Sequence, residues 1–339
     1  MTGMKRRHRV LAFHIGKFIL KRTLKFVTLL FAVVVLTFML VSLSPVDPIQ
    51  SYLGAEMMVV SEEQKEEIAE YYGVNQPKLQ QFFKWLKMFL QGDLGTSLVY
   101  RQDVLSIIQE KFVASFALMA LSWSMAGILG YALGVIAGMN KGTFADRAIK
   151  LYCFVLASTP TFWIAILLLI VFSLWLGLFP IGLGTPIGVV SEQVTWLDRL
   201  KHILLPAATL SVIGVSNITL HTRQKVIDVL DSEFIRFARA KGEEGFTLFK
   251  RHVFRNTLFP AISVHFASFG ELFGGAILAE QVFSYPGLGL AIVQAGLNSD
   301  VPLMMGIVVF STFFVFIGNL LADVLYTMID LRMKNGEAI

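Results

Sequence analysis

Cysteine and charge are what this 339-residue chain has least of. Its one cysteine, Cys153, stands in an apolar run, so no internal disulfide can form, and the thiol reads as a small buried hydrophobe. Charged residues make up 16% of the chain and hydrophobic ones 55%, with a mean hydropathy of +0.66. An ordinary soluble domain carries about a quarter charged residues, so that class is excluded. Catalytic signatures are missing too. There is no G-x-x-x-x-G-K-[ST]; KGT at 141–143 and AKG at 240–242 lack the rest of a phosphate cradle, so the chain does not hydrolyse ATP by itself. None of His8, His14, His202, His221, His252 and His265 has a helical metal-pair partner, which leaves a zinc protease unsupported. Ser211 and Ser268 lack the G-x-S-x context of an intramembrane nucleophile, and most such serines bond their own helix backbone.

What is present is a set of six apolar stretches, roughly Phe26–Leu43, Phe112–Gly138, Leu151–Leu178, Ile203–Leu220, Pro260–Ala279 and Leu303–Ala322. Each is close to or above the ~20 residues that a helix needs to cross ~30 Å of hydrocarbon. The first follows a basic arm with Lys5, Arg6, Arg7, Arg9, Lys17, Lys21, Arg22 and Lys25 and no acid. It exceeds the 7–15 residues of a cleavable signal and no small-residue cleavage site follows, so it reads as a retained span. The net charge of +5 does not call for a nucleic-acid partner, because the basic residues cluster beside apolar spans. The arm, 141–150 (Lys141, Arg147 and Lys150 against Asp146) and 221–259 (eight Lys/Arg against five Asp/Glu) belong on the cytoplasmic side by the positive-inside rule. Both termini are then cytoplasmic.

The expected architecture is an all-α polytopic membrane protein with six transmembrane helices. Residues 1–25 form the cytoplasmic arm, 26–43 the first span, 44–111 an external segment with short helices, 112–325 a five-helix core with a cytoplasmic loop at 221–259, and 326–339 a cytoplasmic tail. Within the external segment, Ser61 followed by Gln64 is a capping-box pattern. Gly130, Gly134 and Gly138 recur every four positions in the second span, as do Gly270 and Gly274 in the fifth, which would let neighbouring backbones approach closely. Pro206 and Pro260 fall at the starts of their stretches, where a missing N–H costs little.

The stretch EFIRFARAKGEEGFTLFKRHVFRNTLFP at 233–260 puts six basic and three acidic side chains into this charge-poor chain. Phe234, Phe237, Ala238 and Lys241 fall at i, i+3, i+4 and i+7, one helix face; beyond Gly242, Phe246, Phe249 and Val253 make a second ridge. Two short helices with a glycine bend make a projecting knob, which either packs on its own bundle or docks into a partner. Glu271 is the one acid inside the stretches, eleven residues into the fifth, roughly 16 Å of rise and close to mid-bilayer. An ionised carboxylate there must face protein or a watery cavity, or be protonated. It either hydrogen-bonds a neighbouring helix or lines a translocation path; His265, six residues earlier, lies on another face.

ARAKG at 238–242 followed by RNTLFP at 255–260 resembles the coupling motif of ABC-importer permeases, in the version of the dipeptide/oligopeptide/nickel branch. GDLGTS at 92–97, HILLPA at 202–207 and EQVFSYPGLG at 280–289 are similar to that branch in the same order and spacing, so the resemblance covers nearly the whole chain. It implies the type I importer permease fold and a non-catalytic subunit that moves peptides, or, as an alternative, nickel or a metal chelate. It also implies partners: a second homologous permease, two ATPase subunits that hold ATP and Mg, an extracytoplasmic substrate-binding protein, and the lipid of a bacterial or archaeal cytoplasmic membrane. No cofactor or metal is expected in this chain. The implied ATPase-coupling residues are Ala238, Arg239, Ala240, Lys241, Gly242, Glu243, Phe246, Phe249, Arg255, Asn256 and Pro260, with Glu271 a candidate for the substrate path. The motif's Glu-Ala-Ala positions are here Arg236, Phe237 and Ala238, so no glutamate role carries over. The rival from another class is an ion-coupled secondary transporter, which would advertise mid-membrane ionisable groups or inverted repeats.

Overall fold

The computed structural model describes residues 23–40, 42–43, 61–72 and 76–335; most of the basic arm, part of the external segment and the last residues of the tail lie outside the described residues. The elements are helical, and the only β pairing among the described residues is the isolated Thr96–Asp103 bridge. The described residues fall into two compact units, one within 1–108 and 292–316, the other within 109–291 and 317–339.

In the first unit, α1 (Thr23–Leu40), α2 (Glu62–Tyr72) and α3 (Lys78–Leu90) precede a loop that leads to the start of α4 (Val104–Met139). The capping box is formed: the Gln64 amide donates to Ser61 Oγ at 3.3 Å and the Ser61 amide donates back to Gln64 Oε1 at 3.3 Å. Val34, Phe38, Phe82 and Met305 form an apolar core, with the Phe38 and Phe82 rings edge-to-face at 5.2 Å. The GDLGTS loop turns through positive φ at Gly92 (85°) and Gly95 (80°). Its Ser97 hydroxyl donates to Asp300 Oδ2 at 2.5 Å, and the other oxygen of Asp300 accepts the Leu303 amide at the start of the last helix. The loop is thereby tied to a helix N-terminus 203 residues away.

The second unit is built around α7 (Trp196–Leu230), which packs against α5 (Phe144–Ser158), α6 (Thr161–Leu168, continued by a π turn to Trp175), α10 (Phe254–Ala267) and α11 (Phe269–Val282). Between α7 and α10 lie α8 (Glu233–Ala240) and α9 (Gly245–Leu248); α12 (Leu288–Leu297) and α13 (Val301–Asn335) follow, with residues 292–316 counted in the first unit. The glycine stripe of α4 is a packing seam. A Cβ on Gly130, Gly134 or Gly138 would come within 2.8, 2.6 and 2.6 Å of Ile218, Thr222 and Val226, successive residues along one face of α7. In the fifth stretch the packed position is instead Gly275, against Leu210, while Gly274 meets open space.

Among the described residues, four unbroken helices are long and apolar enough to span: Thr23–Leu40, Val104–Met139, Trp196–Leu230 and Val301–Asp323. The third and fifth stretches are bent, by 108° between Ala157 and Thr161 and by 55° at Ser268, which makes six if each bent pair is one span. Pro160 accounts for the first break. It has no N–H to give and forces Thr159 before it into extended backbone, φ −99° and ψ 132°. At the second, the Ser268 hydroxyl takes the His265 carbonyl at 3.0 Å, a local bond that competes with the helix ladder. The expectation that Pro206 and Pro260 open their spans is corrected: both lie inside helices. The helices begin well before the apolar stretches, and α7 does so from a complete Thr195–Asp198 capping box.

Candidate functional site

The 233–260 stretch folds as the two short helices and bend that its pattern implies. α8 ends in a Schellman arrangement: the Gly242 amide donates to Arg239 O at 2.9 Å and the Glu243 amide to Ala238 O at 3.1 Å. That closure needs a left-handed residue, and Gly242 sits at φ +86° with no neighbour within 4 Å of where its Cβ would be. Its glycine is therefore required by backbone conformation and not by crowding. Glu243 then clamps the bend, accepting from Arg251 Nη1 at 2.8 Å and pairing with His252 Nε2 at 2.9 Å. The Arg251 guanidinium first, and His252 after it, hold the Glu243 carboxyl below its ordinary value.

The knob has two faces. Ile235, Ala238, Leu248 and Val253 are buried with Val226 and Val229 at the end of α7, with Val135 and Met139 of α4 packed alongside. Ala238, only 4% exposed, seats the helix and is not available to a partner. Outward lie Phe237 at 63% and Phe246 at 75% exposure, with Phe234, Arg239, Ala240, Lys241 and Gly242 also exposed. Lys241 stands 4.4 Å over the Phe237 ring. Thus the ridge read as Phe234, Phe237, Ala238 and Lys241 divides: its aromatic and basic members face out, and the inward row is Ile235 with Ala238. Phe249 is half-buried beside Phe246, with ring centroids at 6.1 Å. Arg255 is exposed; Asn256 donates from Nδ2 to His252 O at 2.7 Å; Pro260 is within α10. An exposed apolar patch rimmed by positive charge on a braced support is suited to docking.

Glu271 stands apart from this cluster, in the first turn of α11, exposed and without a side-chain partner among the described residues. Among the described residues it makes no hydrogen bond to a neighbouring helix.

Besides Asp300, two more buried carboxylates among the described residues escaped the sequence reading. Glu280, fully buried, accepts from Ser115 Oγ at 2.5 Å and from the Gly289 and Leu290 amides at 2.7 and 3.1 Å, so it caps the N-terminus of α12. A Cβ on Gly287 or Gly289 would strike that carboxyl, which gives the glycines of SYPGLG their reason. The other is Asp146, bound bidentately by Arg223. Neither partner is near in sequence, and only the Glu in EQVFSYPGLG carried any signal.

Together these features define a polytopic all-α membrane protein with glycine-seamed helices, two broken spans and a braced, outward-facing knob between α7 and α10: a transport permease. Residues 130–335 match the family model described as binding-protein-dependent transport system inner membrane component, and residues 15–119 match its N-terminal component. The chain is 33% identical over 319 residues to the oligopeptide transport system permease protein AppB of Bacillus subtilis, covering 94% of this chain and 99% of that one. It is 33% identical over 316 residues to a putative peptide transport system permease protein of Brucella abortus, covering 93% and 98%. Against the di/tripeptide transport system permease protein DppB of Pseudomonas aeruginosa it is 29% identical over 333 residues, covering 94% and 98%. The chain belongs to the binding-protein-dependent transport permeases, the membrane components of ABC importers of the peptide family. That membership sets the secondary-transporter reading aside.

Proposed function

We propose that this chain imports peptides, as one of two permease subunits driven by a pair of ATPases and supplied by an extracytoplasmic binding protein. The peptide reading is supported above all by relatives named as oligopeptide and di/tripeptide permeases that align over 94% of the chain. The outward face of α8–α9 is the surface for the ATPase, with Phe237 and Phe246 as anchors and Arg239 and Lys241 at the rim. Its inner face and the Glu243 clamp keep the patch presented. ATP binding closes the ATPases and displaces the two docked knobs, which tilts the spans and opens a central cavity outward; ATP and binding protein drive the change by favouring that state.

In this reading the knob, the loop 141–150 and both termini face the cytoplasm, and the membrane is the inner membrane. Glu271, exposed and unpaired, is the path residue that meets a cationic group such as a peptide amino terminus. The test is reconstitution. The chain alone should show neither ATPase activity nor uptake, while coexpression with the second permease, the ATPases and the binding protein should give both. Transport by the lone chain would sink the proposal. In a Cys153→Ser background, a cysteine at Glu63 should react with impermeant thiol reagents from outside and one at Glu244 should not; the opposite pattern inverts the topology.

A further inference from the structure

The knob is seated on the rest of its unit by apolar contacts, and a polar joint outside the 233–260 stretch braces the end of α7 on which it sits. Asp146, 1% exposed near the start of α5, accepts from Arg223 of α7 through both oxygens, Nε to Oδ1 at 2.5 Å and Nη2 to Oδ2 at 2.8 Å. The same carboxylate accepts the Gly142 amide at 2.9 Å, and Lys150 stands 3.9 Å away. Gly142, at φ +83°, closes the turn between α4 and α5, so one side chain fixes that turn and fastens it to α7. Arg223 is one turn from Val226, whose neighbours in the apolar core are Val229, Ile235, Ala238, Leu248 and Val253. A second strut, Lys141 to Asp231 at 3.4 Å, bridges the same turn to the C-cap of α7, but both side chains are exposed and such pairs contribute little.

Stability alone does not explain the joint. Burying two charges costs about as much as their attraction returns, and well-packed apolar residues would serve as well or better. What a forked, bidentate pair adds is geometry: it resists the sliding that apolar helix faces permit. We propose that Asp146 and Arg223 are positioning residues for energy coupling, the joint that makes the α4–α5 hairpin travel with α7 and the docked knob. A displacement arriving at α8–α9 then moves three helices as one body and does not bend α7 alone. The inference rests on the reading of α8–α9 as the ATPase surface.

The test uses the complete complex with its binding protein in proteoliposomes, and measures ATP hydrolysis, uptake of an isotope-labelled mixture of di- to pentapeptides, and the amount of ATPase that copurifies. Asp146→Asn keeps shape and deletes the charge; Arg223→Lys keeps the charge and deletes the fork. Both should assemble and hydrolyse ATP while peptide moved per ATP falls about tenfold, within the range by which side chains tune coupling between sites. The swap of Asp146→Arg with Arg223→Asp should recover part of that ratio. A purely structural role predicts less complex, with an unchanged ratio in whatever assembles; that result, or failure of all three variants to assemble, overturns the proposal. Phe246→Ala in the same assay separates the two readings. If it leaves ATPase binding intact, the docking surface is wrong and the joint falls with it. If it abolishes binding while Asp146→Asn keeps a normal ratio, the joint alone is wrong.

Discussion

The two ends of α7 are held by different chemistry. From His202 to Arg223 the helix rises roughly 31 Å at 1.5 Å per residue, a length of about one hydrocarbon thickness. At the first end the bonds have backbone groups on at least one side. His202 Nδ1 lies 2.9 Å from Gly182 O and 3.0 Å from Leu183 O, the Leu183 amide donates to Phe283 O at 2.8 Å, and Glu280 caps α12. At the second end the bonds are ion pairs, Asp146 with Arg223, Lys141 with Asp231, and Glu243 with Arg251 and His252. A backbone-anchored network admits one arrangement, because each N–H and C=O is fixed by the chain. Side-chain ion pairs leave the backbone free to move as a body, while the bidentate Asp146–Arg223 pair keeps the joined helices in register, and there the aromatic patch faces outward. The contrast assigns rigidity to the first end and load transfer to the second.

The sharpest way to break the contrast is to attack the rigid end. Gly289→Val would drive side-chain atoms into the Ile277 backbone, 2.6 Å from the ideal Cβ, and into the Glu280 carboxyl. With backbone unable to yield, the cost should be about 3 kcal/mol or more, and the protein should be lost from the membrane fraction on immunoblots. Normal abundance would show that this end is less constrained than its hydrogen bonds imply.

At the second end, Gly242→Val should act on function first. The space there is open, so the cost is the left-handed backbone alone, about 1–2 kcal/mol. Membrane abundance should stay near normal while ATPase copurification falls severalfold; equal copurification would argue that the bend does not set the docking face. Glu271→Gln should leave abundance, ATPase binding and basal hydrolysis unchanged and reduce uptake of peptides with a free amino terminus. Unchanged uptake of cationic and neutral peptides alike would remove the residue from the path.

The smallest expected effect is a pH dependence confined to the second end. The folded-state value of Glu243 lies below the ordinary 4.5, so the stabilisation it contributes is complete above that pH and is lost as pH falls through the folded value. Relative to the intrinsic rate at each pH, hydrogen exchange of the α8–α9 amides should therefore accelerate as pH falls below about 4.5. Glu243→Gln should remove that extra acceleration, and an identical profile in the variant would show that the clamp does not hold the bend.

Much of this molecule was legible in the order of its residues. Spans announce themselves because lipid demands some twenty apolar residues in succession, and the Gly130, Gly134 and Gly138 stripe announces a seam because a helix presents every fourth residue to one neighbour. Gly242 could be read as a bend, since the left-handed conformation it adopts is local to the chain. Pairings between distant residues could not be read in this way. That Asp146 meets Arg223, that Glu280 meets Ser115, and that Ala238 faces inward while Phe237 faces out were all decided by packing. A local pattern specifies which side chains share a face, but which face turns inward, and which charge finds which partner, depends on the helices that tertiary structure brings against it.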